Sequence, residues 1–275
     1  MVHPQIAVFA RLANGNVAPV RKIEGQKTLL GRTMHAVAYD EVRDEIVVPQ
    51  EIAQGILTFR GAASGEEEPL RVIQGPKTQI VGTGYGALST VTPDPHGNEI
   101  FLPIGDGGYR GNGPHEDGIL VFDRLANGDV APKRKLLGAS GQVGIDHIAN
   151  VMITKGGGGM FIFDRKAKDN DKPLRVIRGP NSAVGGGQIT TYPEKGWIIT
   201  GTRDGGYGVW HVNDDGDVPP RWNIPVKDIV TRMDDHPAQG NQNVGVALVP
   251  HAKELFVASS QSNRVVVFAF PELFQ

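Results

Sequence analysis

Two histidines, His35 and His147, occupy matching positions of an internal repeat and are the side chains best suited to chemistry. A neutral imidazole binds metal ions and also acts as a general base near neutral pH. The corresponding positions of other repeats hold Gln188 and Asn243, and Asp146 directly precedes the second histidine. We predict that these polar groups converge on one site, with a histidine as base or metal ligand and with Gln188 and Asn243 contacting the ligand. The alternative is that each histidine caps the backbone of its own repeat.

Two long polar segments contribute further side chains to this predicted site. Residues 105–118, GDGGYRGNGPHEDG, include Tyr109 and Arg110, which we expect to hold a ring and a carboxylate, so that Arg110 orients a substrate. Residues 225–243 include His236. A zinc or calcium site is then predicted from four side chains, His35, Asp146, His147 and His236. The alternative for both segments is a set of solvated loop charges, with Asp-Gly-Gly forming an ordinary tight turn.

The elements that position these residues are indicated by a sequence repeat. Residues 9–22, FARLANGNVAPVRK, and residues 122–135, FDRLANGDVAPKRK, are identical at eleven of fourteen positions. Weaker copies begin at Phe59, Phe163 and Trp210, and a truncated copy begins at Phe268. The spacing between successive copies is roughly 40–60 residues, and periods near 40–50 residues are typical of β-propeller blades.

Each repeat unit is predicted to contain four antiparallel strands, A to D. An alternating apolar pair forms the A–B hairpin, an apolar run such as ILVF forms strand C, and a segment such as PLRVI forms strand D. The repeated LANGDVAP segment lies between strands C and D, where its Asn-Gly pair is a turn signal. We interpret it as structural. No helical periodicity competes with this pattern, so the fold class is an all-β propeller.

Five blades in a single domain, residues 1–275, are the simplest arrangement, with six blades as the runner-up. The sequence has five A–B hairpins, six C strands and five D strands, so strands from the two termini are expected to close the ring and one C strand is in surplus. A surplus strand also permits a homo-oligomer formed by strand exchange. In a propeller, the starts of the A strands and the B–C and D–A loops lie at the top of the central channel. The predicted site belongs there.

Composition narrows the function classes. Net charge is −2 and the pI is near 6.4, which favours neither nucleic acid nor an anionic membrane as a partner. The chain has no Cys, which excludes disulfides and thiolate sites. No phosphate-binding loop or G-x-S-x-G motif occurs, and no organic cofactor is expected. The N-terminus lacks the pattern of a signal peptide, which suggests the cytoplasm, or the periplasm or the exterior if a leader has been removed.

The blade pattern resembles bacterial propellers of the NHL-repeat, YVTN-repeat and gluconolactonase-like superfamily. The resemblance is carried by Ile119–Asp123 with Pro132 and Arg134, and by Met160–Asp164 with Pro173 and Arg175. It implies a lactonase-like hydrolase or a lyase that acts on a small molecule such as a cyclic ester, with a divalent metal possible at the channel. The two histidines are more similar to those of the propeller lyases. The alternative from another class is a non-catalytic propeller that binds a ligand or a protein.

Overall fold

The computed structural model describes residues 4–32, 34, 36–81, 90–105, 117–139, 141–224, 243–259 and 264–275. Two compact units are present, residues 1–140 and residues 141–275. Within the described residues the regular structure consists of β-strands and short 3-10 turns, and no helix there is long and apolar enough to cross a membrane.

The first unit contains a two-stranded sheet and two four-stranded sheets, all antiparallel. The two-stranded sheet is β1 Gln5–Val8 and β2 Arg21–Glu24. Blade 1 is β3 Ala38–Asp40, β4 Glu45–Gln50, β5 Gly55–Arg60 and β6 Arg71–Gln74. Blade 2 is β7 Thr92–Asp94, β8 Glu99–Ile104, β9 Gly118–Asp123 and β10 Arg134–Leu137.

The second unit contains two four-stranded antiparallel sheets and one three-stranded sheet. Blade 3 is β11 Gln142–Asp146, β12 Val151–Gly156, β13 Gly159–Asp164 and β14 Arg175–Arg178. Blade 4 is β15 Val184–Tyr192, β16 Trp197–Thr202, β17 Tyr207–His211 and β18 Trp222–Ile224. Blade 5 is β19 Asn243–Val249, β20 Glu254–Ser259 and β21 Arg264–Ala269.

These sheets have the arrangement of a five-blade β-propeller and confirm the predicted fold class. In each blade the strands follow one another as a meander, so A–B and C–D turns share one end and B–C and D–A connections share the other. In blades 1 to 4 the second and third strands are the most buried, since their apolar side chains pack into clusters shared with a neighbouring blade. The prediction of one domain over residues 1–275 stays a prediction.

The structure shows where the surplus C strand predicted from the sequence lies. By its pairing with β2, β1 is a C-type strand, and it forms a separate sheet instead of competing with β21. Within the described residues β21 pairs only with β20, so blade 5 has no outer strand there. Neither sheet is a complete blade.

The repeated C–D turn is structural, as predicted, and it also joins neighbouring blades. Gly128, in the C–D turn of blade 2, forms two backbone hydrogen bonds with the outer strand of blade 1: its N–H donates to Val72 (2.6 Å) and its carbonyl accepts from Gln74 (3.2 Å). Matching parallel bridges join Ile23 to Gly65 and Ile177 to Gly216. We call each such turn a clamp, because it fastens one blade to the outer strand of the preceding blade.

Candidate functional site

The most unusual polar side chain in the described structure is Lys155, near the end of β12 in blade 3. Its residue is only 8% exposed, yet no carboxylate among the described residues pairs with it. The ammonium instead donates hydrogen bonds to backbone carbonyls in blade 4, at Gly185 (3.2 Å) and at Gly187. A buried lysine is rarely left without an acidic partner, since neutral carbonyls only partly replace water around the charge.

The carbonyls reach Lys155 because β15 contains a large bulge. Val184 pairs with Thr202 and Ile189 with Thr200, so the four residues between them, GGGQ, lie opposite the single residue Gly201. The bulge requires glycine at Gly187, whose φ is +87°. Thr200, which is fully buried, fixes the end of the bulge by donating its hydroxyl to the Gln188 carbonyl (3.0 Å).

Burial sets the protonation of this amine. It lowers the pKa of Lys155 from 10.5 to about 8, because the ammonium loses hydration that the carbonyls do not fully replace. The neutral amine is therefore a substantial species slightly above neutral pH. A neutral amine can take a proton or attack a carbonyl carbon, which an ammonium cannot.

Other polar groups lie at the same end of the blades. Gln142, the first residue of β11, pairs across the sheet with Lys155, and its Oε1 is buried with no hydrogen-bond partner among the described residues. The side-chain oxygen of Gln188 lies beside Gly245 of β19. The same glycine accepts a hydrogen bond from the Tyr207 hydroxyl (3.3 Å), and burial raises the pKa of Tyr207, which keeps this phenol protonated. Strand β15 packs against both β11 and β19.

Two of the residues predicted from sequence fit this end of the blades. Gln188 lies in the bulge near the start of β15, and Asn243 is the first residue of β19. Both therefore belong to the beginnings of A strands, as predicted. Their proposed role in ligand binding stays a prediction.

The predicted placement of Asp146 and His147 at the start of an A strand is wrong. Asp146 is the last residue of β11, and His147 lies in the A–B turn that follows, at the opposite end of the blade from Gln142. Asp146 is fully buried, and its Oδ1 accepts the backbone N–H groups of Ile148 (3.0 Å) and Ala149 (2.8 Å). In blade 1 Asp40 likewise accepts two turn amides, and in blade 2 Asp94 accepts the N–H of Gly97 (2.9 Å). The aspartate is needed because its short side chain satisfies turn amides that strand pairing leaves unbonded.

The remaining predicted residues, His35, Tyr109, Arg110 and His236, lie outside the described residues. Within the described part of the chain, no three His, Asp or Glu side chains are grouped closely enough to hold a metal ion. The metal site predicted from His35, Asp146, His147 and His236 stays a prediction, because two of its four members lie outside the described residues, and we route no chemistry through it.

The first unit also buries polar side chains at the B–C end of a blade. Gln50, the last residue of β4, is 3% exposed, and its Oε1 accepts the N–H of Gly31 (2.8 Å). Glu51, which follows it, is 5% exposed. These residues, like Gln142 and Lys155, were not predicted from the sequence.

One signal in the sequence could have identified Lys155. Aligned by their pairing with strand C, the five B strands carry Pro49, Pro103, Lys155, Gly201 and Ala258 at the same position. Lys155 is the charged residue of this set, and the other blades form with proline, glycine or alanine at the same position. The blade fold therefore does not require a lysine there.

Comparison with known proteins identifies no family: no family model matches the chain, and no curated protein matches it. The structure shows a five-blade β-propeller arrangement, and the resemblance to the NHL-repeat, YVTN-repeat and gluconolactonase-like superfamily stays a prediction.

Proposed function

We propose that the protein is a lyase or hydrolase of small carbonyl compounds in which Lys155 is the general base. The observation that carries this proposal is the buried Lys155 amine, which lies on the carbonyls of Gly185 and Gly187 without an acidic partner among the described residues. A base of this kind works best when its pKa is close to the working pH, and burial brings the pKa of Lys155 to about 8.

The chemistry follows from the neutral amine. As a lyase, the enzyme would use Lys155 to take a proton from the carbon next to a carbonyl group; the C–O bond on the adjacent carbon would break, a C=C bond would form, and the oxygen would leave with a proton. As a hydrolase, it would use the same amine to take a proton from a water molecule that attacks an ester carbonyl; the ester C–O bond would then break, and the Lys155 ammonium would return the proton to the leaving alkoxide. Small cyclic esters present both an acidic C–H and an ester carbonyl, and they are our proposed substrate class. The buried Oε1 of Gln142 is available to accept a hydrogen bond from a substrate hydroxyl.

The test is the pH dependence of kcat/KM on a panel of small lactones and 2-oxo acids, for the parent protein and for Lys155→Met. We expect a rise in kcat/KM with an inflection near pH 8, and a loss of about 10²- to 10⁴-fold in the variant, the usual contribution of a general base. Lys195→Met is the matched control, since Lys195 is exposed.

Two results would count against the proposal. Retention of activity and of the same pH profile in Lys155→Met would show that the amine is not the base. Ligand binding without any turnover, unaffected by pH near 8, would favour the alternative of a non-catalytic binding propeller. Circular dichroism of both variants separates these outcomes from a loss of folding.

A further inference from the structure

The hydrogen bonds of Lys155 leave one of its three ammonium hydrogens without a protein acceptor. The described part of the chain offers the ammonium two acceptors, the carbonyls of Gly185 (3.2 Å) and Gly187, whereas a lysine ammonium has three N–H donors. Loss of the third proton keeps both of these hydrogen bonds and directs the nitrogen lone pair away from both carbonyls. The neutral amine is therefore held in an orientation in which it can attack a carbon atom without first breaking a bond to the protein.

The side chains next to the amine are uncharged. The strand register places Lys155 between Gln142 on β11 and Met160 on β13, and the bulge of β15, GGGQ, faces it from blade 4. Met160 is fully buried in an apolar cluster that also contains Val184. Such surroundings disfavour the ammonium relative to the amine, and they keep bulk water away from a group attached to the nitrogen.

The amine lies close to the surface of the second unit. Gly186, between the two acceptor residues, is exposed, and Gln142 and Gly187 are half-buried. Lys155 itself keeps 8% of its surface in contact with solvent. Because this remaining exposure is small, we expect only a ligand of a few atoms to reach the nitrogen.

Gln142 supplies a second group that recognises such a ligand. Its Oε1 is buried and has no hydrogen-bond partner among the described residues. Directly paired residues of neighbouring antiparallel strands have Cβ atoms about 5 Å apart, so this oxygen is within reach of a small group attached to Lys155. An amide oxygen accepts hydrogen bonds, and a buried unpaired acceptor favours a ligand that carries a hydroxyl over one that lacks it.

We propose that Lys155 forms an imine with small 2-hydroxyaldehydes, whose hydroxyl donates a hydrogen bond to the Gln142 Oε1. The nitrogen lone pair attacks the aldehyde carbon, the π electrons of the C=O bond move to the oxygen, and one proton passes from nitrogen to that oxygen to give a carbinolamine. The carbinolamine hydroxyl takes a proton from solvent, the C–O bond breaks and water leaves. The resulting C=N bond carries one N–H, which donates to one of the two glycine carbonyls.

This inference rests on the proposed function only in using the same amine and the same glutamine. It requires no proton transfer to or from a substrate carbon and no turnover. The two proposals therefore make separate predictions, one for covalent trapping and one for catalysis.

The experiment treats the full-length protein with glycolaldehyde and cyanoborohydride at pH 7.5 and locates the reduced adducts by peptide mass spectrometry. A pKa of about 8 leaves a neutral amine fraction about 10²-fold larger than the ordinary pKa of 10.5 does, and the lower basicity offsets part of this advantage. We expect Lys155 to be labelled at least about tenfold faster than the exposed Lys195 in the same sample.

Propanal is the matched probe, because it has a methyl group where glycolaldehyde has its hydroxyl. With each rate normalised to Lys195, glycolaldehyde should label Lys155 roughly three- to tenfold faster than propanal, the usual effect of one hydrogen bond. Gln142→Met should remove this preference and leave the propanal rate unchanged. Circular dichroism of the variant checks that it is folded.

Two results with the parent protein alone would overturn the inference. Labelling of Lys155 no faster than that of Lys195 would rule out imine formation, and equal normalised rates for the two aldehydes would rule out recognition of the hydroxyl. A trapped imine without turnover of lactones or 2-oxo acids would remove the proposed function and keep this inference. Turnover that depends on Lys155, without a trapped adduct, would do the reverse.

Discussion

The ammonium of Lys155 should make the stability of the second unit depend on pH in an unusual direction. The unfolded chain holds this proton with the ordinary pKa of 10.5, and the folded chain with a pKa of about 8. Between these values the unfolded state binds more protons than the folded state, so the free energy of unfolding rises as the pH rises. Below pH 8 both states are protonated, and the full cost of burying the charge is present.

The size of the effect follows from the two pKa values. Their difference corresponds to about 3 kcal/mol in total. Linkage gives a slope of about 1 kcal/mol per pH unit near pH 9, and a gain of about 2–3 kcal/mol between pH 7 and pH 10. Because Lys155 is 8% exposed, solvent screening removes little of this.

The assay is urea unfolding followed by tryptophan fluorescence, at several pH values from 7 to 10. All three tryptophans, Trp197, Trp210 and Trp222, lie in the second unit, so the signal reports on the surroundings of Lys155. Subtraction of the Lys155→Met curve removes the titration of every other group. The difference should grow by about 2–3 kcal/mol in favour of the parent protein between pH 7 and pH 10. Parallel curves for parent and variant would refute the assignment of a buried charged amine.

Two further predictions concern the turns. Gly75→Ala should lower the free energy of unfolding by about 2 kcal/mol or more, because its φ is +132° and a Cβ would overlap the side chain of Asp129. Gly128→Ala should lower it by about 1 kcal/mol, because its φ is +80° but the space around it is open. Both values are measured by urea titration. Asp146→Ala should lower the free energy of unfolding by about 1–3 kcal/mol, because two turn amides lose their acceptor. The metal content from elemental analysis should equal that of the parent protein. A fall in bound metal would instead identify Asp146 as a metal ligand.

The sequence was sufficient for the blades because their determinants are local. Alternating apolar residues, turn dipeptides and the repeated aromatic before each C–D turn define strands such as β4, β5 and β9 without reference to the rest of the chain. The placement of Asp146 is wrong because its strand has a weak apolar pattern. The sequence QVGID of β11 contains only Val143 and Ile145 as apolar residues besides glycine, so the sequence does not indicate a strand there, and the final aspartate is instead predicted to begin an A strand.

The candidate site depends on contacts that no local pattern contains. Lys155 is buried because β15 bulges toward it. The bulge forms because residues 185–188 of β15 lie opposite the single residue Gly201 of β16. The clamps also depend on contacts between residues that are distant in the sequence. The Asn-Gly pair at 127–128 identifies a turn, but the partner of Gly128 lies more than fifty residues away along the chain, in β6.

Because of the clamps, the segment that folds cooperatively does not coincide with one sequence repeat. The outer strand β6 is bonded on one edge to its own blade and on the other to a turn of the next blade, and β14 is held in the same way by Gly216. Blade 1, cut at its sequence boundaries, would therefore lose a clamp at each side, that of Gly65 with Ile23 and that of Gly128 with Ile73. In a linear array of coupled repeats, the stability of an outer strand is set in part by its successor, so disorder in one blade is transmitted toward the N-terminal neighbour.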